Sequence, residues 1–229
     1  SLGLSTSIGF VSKKIESTSY NSNIILRNIS IDNASQISTI YSTYNGLEVI
    51  HIGALVGAID VSSTGSDLVT LDNIHSKASL ENYNIEDLSS NSSVGGLIGY
   101  VNADKSVVNI GNSTVGTQVA GDWKNDSAEV KIKGHWNVGG LIGKAFGGQN
   151  SSSEFGINIY NSAAHAKMKA KQKVGGLIGN AKNRIIMNNI FGGNKFTPSA
   201  DGSQVGGLIG DIPGNSNMYI RGAQTYLEI

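Results

Sequence analysis

Lys131 and Lys133 in AEVKIKG, and Lys167 and Lys169 in AKMKAKQK, are the residues whose type and spacing point most directly to a partner. In both runs charged and apolar residues alternate, as on a strand with one buried face. Counted back from Gly140 and Gly176 the two lysine pairs share a register, so stacked strands would set them side by side on an outer face. Lys171 and Lys173 would extend that stripe, and Asp87, one unit earlier, would neutralise part of it if its loop keeps register. A row of cations suits docking to anionic glycans, teichoic-type polymers or acidic protein surfaces. It also serves as a solvated outer face that discourages edge pairing. Trp123, within GDWKND, is a large aromatic among polar residues, suited to stacking on a sugar ring or a protein contact, or to pinning its own loop. Trp136 reads as part of a packed wall.

Catalytic chemistry has less support. A zinc peptidase helix needs HExxH, which is absent, and the four histidines His51, His75, His135 and His165 are spread along the chain. Glycan lyases and hydrolases need carboxylates gathered in one place, for calcium or for acid and base work. Asp67, Asp72, Asp104, Asp122 and Asp126 are dispersed instead, mostly where turns are expected. There is no GxSxG, phosphate loop or dinucleotide fingerprint. No catalytic, metal or cofactor residue is assigned, and no enzyme activity or cofactor is expected of this segment. N-x-S/T sequons occur at Asn28, Asn33, Asn91, Asn112, Asn125 and Asn150, as composition alone would supply in a chain this rich in Asn and Ser.

The elements that would position these residues are repeats. VGGLIG occurs unchanged at Val94, Val138, Val174 and Val205, with IGALVG from Ile52 and SIGFVS from Ser7 as weaker copies. Aligned on Gly9, Ala54, Gly96, Gly140, Gly176 and Gly207, the copies are separated by 45, 42, 44, 36 and 31 residues, a range typical of stacked supersecondary units. A second ladder lies between them. Apolar runs end at Asn28, Asn73, Asn112, Asn161 and Asn189, with Gly222 in the sixth place.

These two ladders, with period-two runs between them and no sustained helical period, predict about three short strands per unit. The expected fold is all-β: one parallel β-helix (β-solenoid) over residues 1–229, of about six coils, right-handed by the general preference of parallel crossovers. Val, Leu and Ile of each VGGLIG should fill the interior. The Gly95–Gly96 pair should bend the chain so that Val94 and Leu97 both turn inward. The glycines should supply positive φ at corners and close approach between coils, and the asparagines an αL corner with an amide ladder. From the Asn ladder to the next glycine ladder the units take 26, 23, 28, 15 and 18 residues, so the early coils should carry the larger loop insertions, including Tyr41, Tyr44, Tyr83 and Trp123.

Composition is consistent with this reading. The 229 residues hold 30 glycines, two prolines and 15% charged residues, and formal net charge is zero, so no whole-molecule field draws the chain to nucleic acid or to an anionic membrane. Cysteine is absent, which excludes disulfides and thiolate metal sites. No apolar run approaches the roughly 20 residues of a membrane helix, so no membrane insertion is expected in this segment. The chain opens at Ser1 in what already reads as a repeat, and a processed protein or an excised piece of a longer one is expected.

The VGGLIG copies, each followed by an apolar run ending in Asn, resemble the GLUG motif. They match it in full at Gly96 to Gly99, Gly140 to Gly143, Gly176 to Gly179 and Gly207 to Gly210; Ala54 to Gly57 and Gly9 to Ser12 depart from it. The resemblance implies a secreted or cell-surface protein of bacterial type, because GLUG repeats occur in large adhesins and in IgA-specific metallopeptidases outside their catalytic part. The leading expectation is a non-catalytic structural or adhesive module, with a glycan or protein surface as partner. Two others are an accessory domain of a larger glycan- or IgA-directed enzyme, and a filament or sheath subunit that self-associates end to end through uncapped coils.

Overall fold

The computed structural model describes residues 5–16, 22–32, 36–39, 49–61, 67–82, 91–117, 130–149, 154–198, 204–214 and 216–228. Tyr41, Tyr44, Tyr83, Asp87, Asp122, Trp123, Asp126, Asn33, Asn125 and Asn150 lie outside them. The described residues form an all-β parallel solenoid in which three sheets run along one axis. Sheet A joins Ser5–Ile8, Val49–Gly53, Ser93–Gly95, Asn137–Gly139, Val174–Gly175 and Val205–Gly206. Sheet B joins Ser12–Glu16, Val56–Asp60, Ile98–Asn102, Ile142–Phe146, Ile178–Lys182 and Ile209–Asp211. Sheet C holds the asparagine runs, its longest strands being Gly156–Ala170, Ile185–Pro198 and Met218–Glu228.

VGGLIG makes the arch between sheets A and B. Val94, in the strand Ser93–Gly95, is buried, the chain bends at Gly96 and Leu97, and Leu97 and Ile98 are both fully buried. The pair of glycines thus turns Val and Leu to the same side. Inter-coil hydrogen bonding continues through the bend: Leu55 N donates to Leu97 O, Leu97 N to Leu141 O, Leu141 N to Leu177 O and Leu177 N to Leu208 O, at 2.8 to 2.9 Å. Gly96, Gly140, Gly176 and Gly207 therefore stand in one column.

The glycines are needed here for space and not for a left-handed backbone. None of those in the VGGLIG copies has positive φ, which corrects one sequence expectation. Sheets A and B meet across them backbone to backbone. A Cβ on Gly143 would lie 2.7 Å from both Gly99 O and Val94 N, and one on Gly179 would lie 2.5 Å from Val138 N. Those distances are well below van der Waals contact, so alanine at these sites would force the two sheets apart.

Positive φ marks every position of the other ladder. Asn28, Asn73, Asn112, Asn161 and Asn189 have φ of 59, 56, 51, 48 and 49°, and Gly222 has 62°. Each is a single αL residue inside or between strands of sheet C, and it shifts the phase of the inward face. Ile157 and Ile159 are buried before Asn161, whereas Ser162, Ala164, Ala166 and Met168 are buried after it. Val69 and Leu71 likewise give way to Ile74, Ser76 and Leu80 around Asn73. A chain that turns a corner while keeping one side on the core needs this change of parity, and Asn and Gly adopt αL at least cost.

The amides bond along the axis: Asn73 Nδ2 donates to Asn28 Oδ1 (2.8 Å), Asn161 Nδ2 to Asn112 Oδ1 (3.2 Å) and Asn189 Nδ2 to Asn161 Oδ1 (2.8 Å). The expected continuous ladder is interrupted once. Asn112 Nδ2 donates to Asp72 Oδ1 (2.8 Å), while Asn73 Oδ1 lies 2.9 Å from His75 Nε2. The serine after the corner completes the pattern in two coils. Ser113 Oγ donates to Gly111 O (2.7 Å) and accepts from Ile74 N of the neighbouring coil (3.2 Å), and Ser162 Oγ does the same for Tyr160 O and Ser113 N.

Replacing Asn161 separates the two functions of the corner residue. Asn161→Ala loses two amide bonds and places a Cβ-bearing residue without local hydrogen bonding in αL, an expected loss of about 2–4 kcal/mol. Asn161→Gly loses only the bonds. Urea denaturation should therefore rank wild type above Gly and Gly above Ala; alanine equal to or better than glycine would contradict the αL assignment.

Candidate binding surfaces

The lysine stripe lies on the outer face of sheet C. Lys131 is directly opposite Lys167, and Lys133 is opposite Lys169, in neighbouring parallel strands. By register Lys195 continues the first column and Thr197 the second. Parallel strands lie about 4.8 Å apart, so the like charges are close neighbours. Between the lysines of each strand Ile132 and Met168 point into the core, which fixes the lysines outward. The stripe also has an acidic flank that the sequence reading missed. Glu81 is opposite Lys133 on the other side, 5% exposed, with its Oε1 2.9 Å from Lys133 Nζ. Lys171 and Lys173 leave the stripe: Lys171 N bonds His135 O past the strand end, and Lys173 Nζ pairs with Asp211 at 2.6 Å beside sheet B. Trp136 is half-buried against the His135 ring.

A second surface forms where sheets A and B face each other beyond the glycines. Two variable positions build it: the residue just before each VGGLIG-type motif, and the one just after. They meet across coils. His51 stacks on Tyr100, with ring centroids 4.7 Å apart and an interplanar angle of 15°. Lys173 pairs with Asp211. Along sheet B the registers align Ala58, Tyr100, Lys144, Asn180 and, on the sixth strand, Asp211. Two residues further on, Glu16, Asp60, Asn102, Phe146 and Lys182 form a parallel row. Tyr100 and Phe146 meet edge to face with centroids 5.9 Å apart, Lys144 Nζ sits 4.9 Å from the Phe146 centroid, and it donates to Asn91 Oδ1 at 2.7 Å. Asn102 Nδ2 donates to Asp60 Oδ1 at 3.3 Å.

Burial sets the electrostatics of this face. His51 is 7% exposed, and desolvation, then Lys144 and Lys14, bring its pKa down to about 4. Its Nδ1 lies 2.8 Å from Ser93 Oγ. Lys144 is brought down to about 8 by burial, then by Lys173 and Lys182. Tyr100 is pushed up to about 12 by burial and by Asp60. Asn180 is 5% exposed, and its Oδ1 has no hydrogen-bond partner among the described residues.

The other residues singled out from sequence play structural parts. His75 bridges Thr114 and Asn73, buried Asp67 accepts from Ser22 N at 2.7 Å, and Asp104 accepts from Gln149 N. Asn28 and Asn112 hold their amides in the corner ladder. Among the described residues no group of three His, Asp or Glu could hold a metal ion. No protein family, curated protein or solved structure matches the chain in comparison.

The His51 site makes stability depend on pH. The unfolded imidazole takes up a proton near 6.5 and the folded one near 4, so between these values the unfolded state binds more protons. The stabilisation is complete above about pH 6.5 and falls as pH drops, by about 3 kcal/mol at pH 4. His51→Gln should flatten this part of the urea-stability profile, and parallel profiles for the two proteins would contradict the assignment.

Proposed function

We propose that this chain is a non-catalytic structural and adhesive module of a secreted or cell-surface protein, in which the solenoid is a rigid spacer and the lysine stripe docks an anionic glycan or acidic protein surface. The observation that carries the reading is the direct register of Lys131 with Lys167 and of Lys133 with Lys169. Like charges directly opposite across strands are destabilising, by a few tenths to about 1 kcal/mol per pair. Glu81 answers one corner of the array. A column of cations at strand spacing suits a linear polyanion lying along the solenoid axis. The GLUG resemblance of the VGGLIG copies supports the extracellular setting.

Replacement of all four lysines by glutamine tests this against chondroitin sulfate as the polyanion. Wild type should bind with an affinity that falls as salt rises, and the variant should bind at least about tenfold more weakly. Its thermal midpoint should fall, because Lys133→Gln strips buried Glu81 of its ion pair and that loss exceeds the relief of two like-charge pairs. Absence of binding by the wild type, or equal binding by the variant, would overturn the reading.

A further inference from the structure

The face of sheet B that carries Tyr100, Lys144 and Phe146 lies on a different sheet from the lysine stripe, and its chemistry differs. It combines half-exposed aromatic rings and an uneven charge distribution along one axis. At the end toward the first coils, Lys14 is paired with Glu16 (2.8 Å) and approaches Asp60 (3.8 Å), so carboxylates outnumber ammonium groups two to one. At the other end Lys144, Lys173 and Lys182 stand together, with Asp211 engaged by Lys173. Lys182 is exposed, and Lys144 is held among cations over the Phe146 ring. Between these ends lie Tyr100 and Phe146, with Asn102 beside them in register.

We propose that this face binds an oligosaccharide of pyranose rings bearing carboxylates. The carboxylate lies at Lys144 and Lys182, where a charge-assisted contact offsets the crowding of the ammonium groups. The apolar side of a sugar ring covers Phe146 and Tyr100, as an amphipathic ring meets an aromatic surface. Hydroxyl groups donate to the Asp60 carboxylate, which keeps its bond from Asn102. A simple anion uses only the cationic end and a neutral sugar only the rings; the acidic sugar uses both.

Isothermal titration with cellotetraose and with its C6-oxidised form, the tetramer of glucuronate, isolates the carboxylate, because the two probes otherwise share ring stereochemistry and linkage. The uronate tetramer should bind roughly tenfold or more tightly than cellotetraose, and inorganic phosphate at equal charge should not displace it. Phe146→Ala and Lys182→Gln should each weaken it at least about fivefold. Lys182 is exposed, so its variant keeps the test valid if the Phe146 variant unfolds. The control Lys77→Gln, at an exposed lysine with no part in either surface, should leave this affinity unchanged. No binding of the uronate, equal binding of the neutral tetramer, displacement by phosphate, or undiminished binding by Lys182→Gln would each overturn the proposal.

Discussion

Backbone contact between sheets A and B is the constraint from which the architecture follows. The two sheets approach until glycine faces backbone across the arch: a Cβ on Gly53 would lie 2.6 Å from Gly99 N, and one on Gly179 would lie 2.6 Å from Gly143 O. Few side chains can be accommodated at such separations, so the motif repeats with little change wherever the chain crosses. The same closeness lets Val, Leu and Ile on the other side of each arch pack into one continuous interior, each fully buried side chain contributing on the order of 1.5–3 kcal/mol. The asparagine corner is the complementary device. It changes which alternate residues face inward, so that sheet C can turn while its apolar side stays on the core.

Because arch and corner are fixed, diversity is confined to the positions beside them. The residues flanking VGGLIG are Tyr100, Lys144, Asn180 and Asp211 on one side and Ser93, Asn137, Lys173 and Gln204 on the other, while His51 and Ala58 flank the IGALVG copy. Stacking gathers them from separate coils onto one face, and the outward positions of the alternating runs are gathered into the lysine stripe in the same way. In a solenoid, a surface is written across the coils, one residue per turn.

This explains what was legible from the residues alone. The four identical motifs and the five asparagines revealed the coils, their register and the stripe, since Lys131 and Lys167 can be aligned by counting from Gly140 and Gly176. The bend at Gly95–Gly96 was legible because Val94 and Leu97 could not otherwise share a side. The conformation of those glycines was not: positive φ and close approach both demand glycine, and only the facing sheet distinguishes them. The exchange of Asp72 into the amide ladder was hidden because the carboxylate sits one residue before the corner. The His51–Tyr100 stack was hidden because it joins the residue before one motif to the residue after the next. The signal was present all the same, as variation immediately outside an invariant string.

Stacking in register can be measured directly. The chain has no cysteine, so nitroxides attached at Glu16→Cys and Lys182→Cys, both exposed, report a single pair. The two positions belong to one row of sheet B, reached through Asp60, Asn102 and Phe146. Four strand spacings of about 4.8 Å separate them, and electron–electron dipolar spectroscopy should give a narrow distribution near about 19 Å, widened only by the label tethers. A broad distribution, or a maximum beyond roughly 30 Å, would show that coils so distant in sequence do not stack as described.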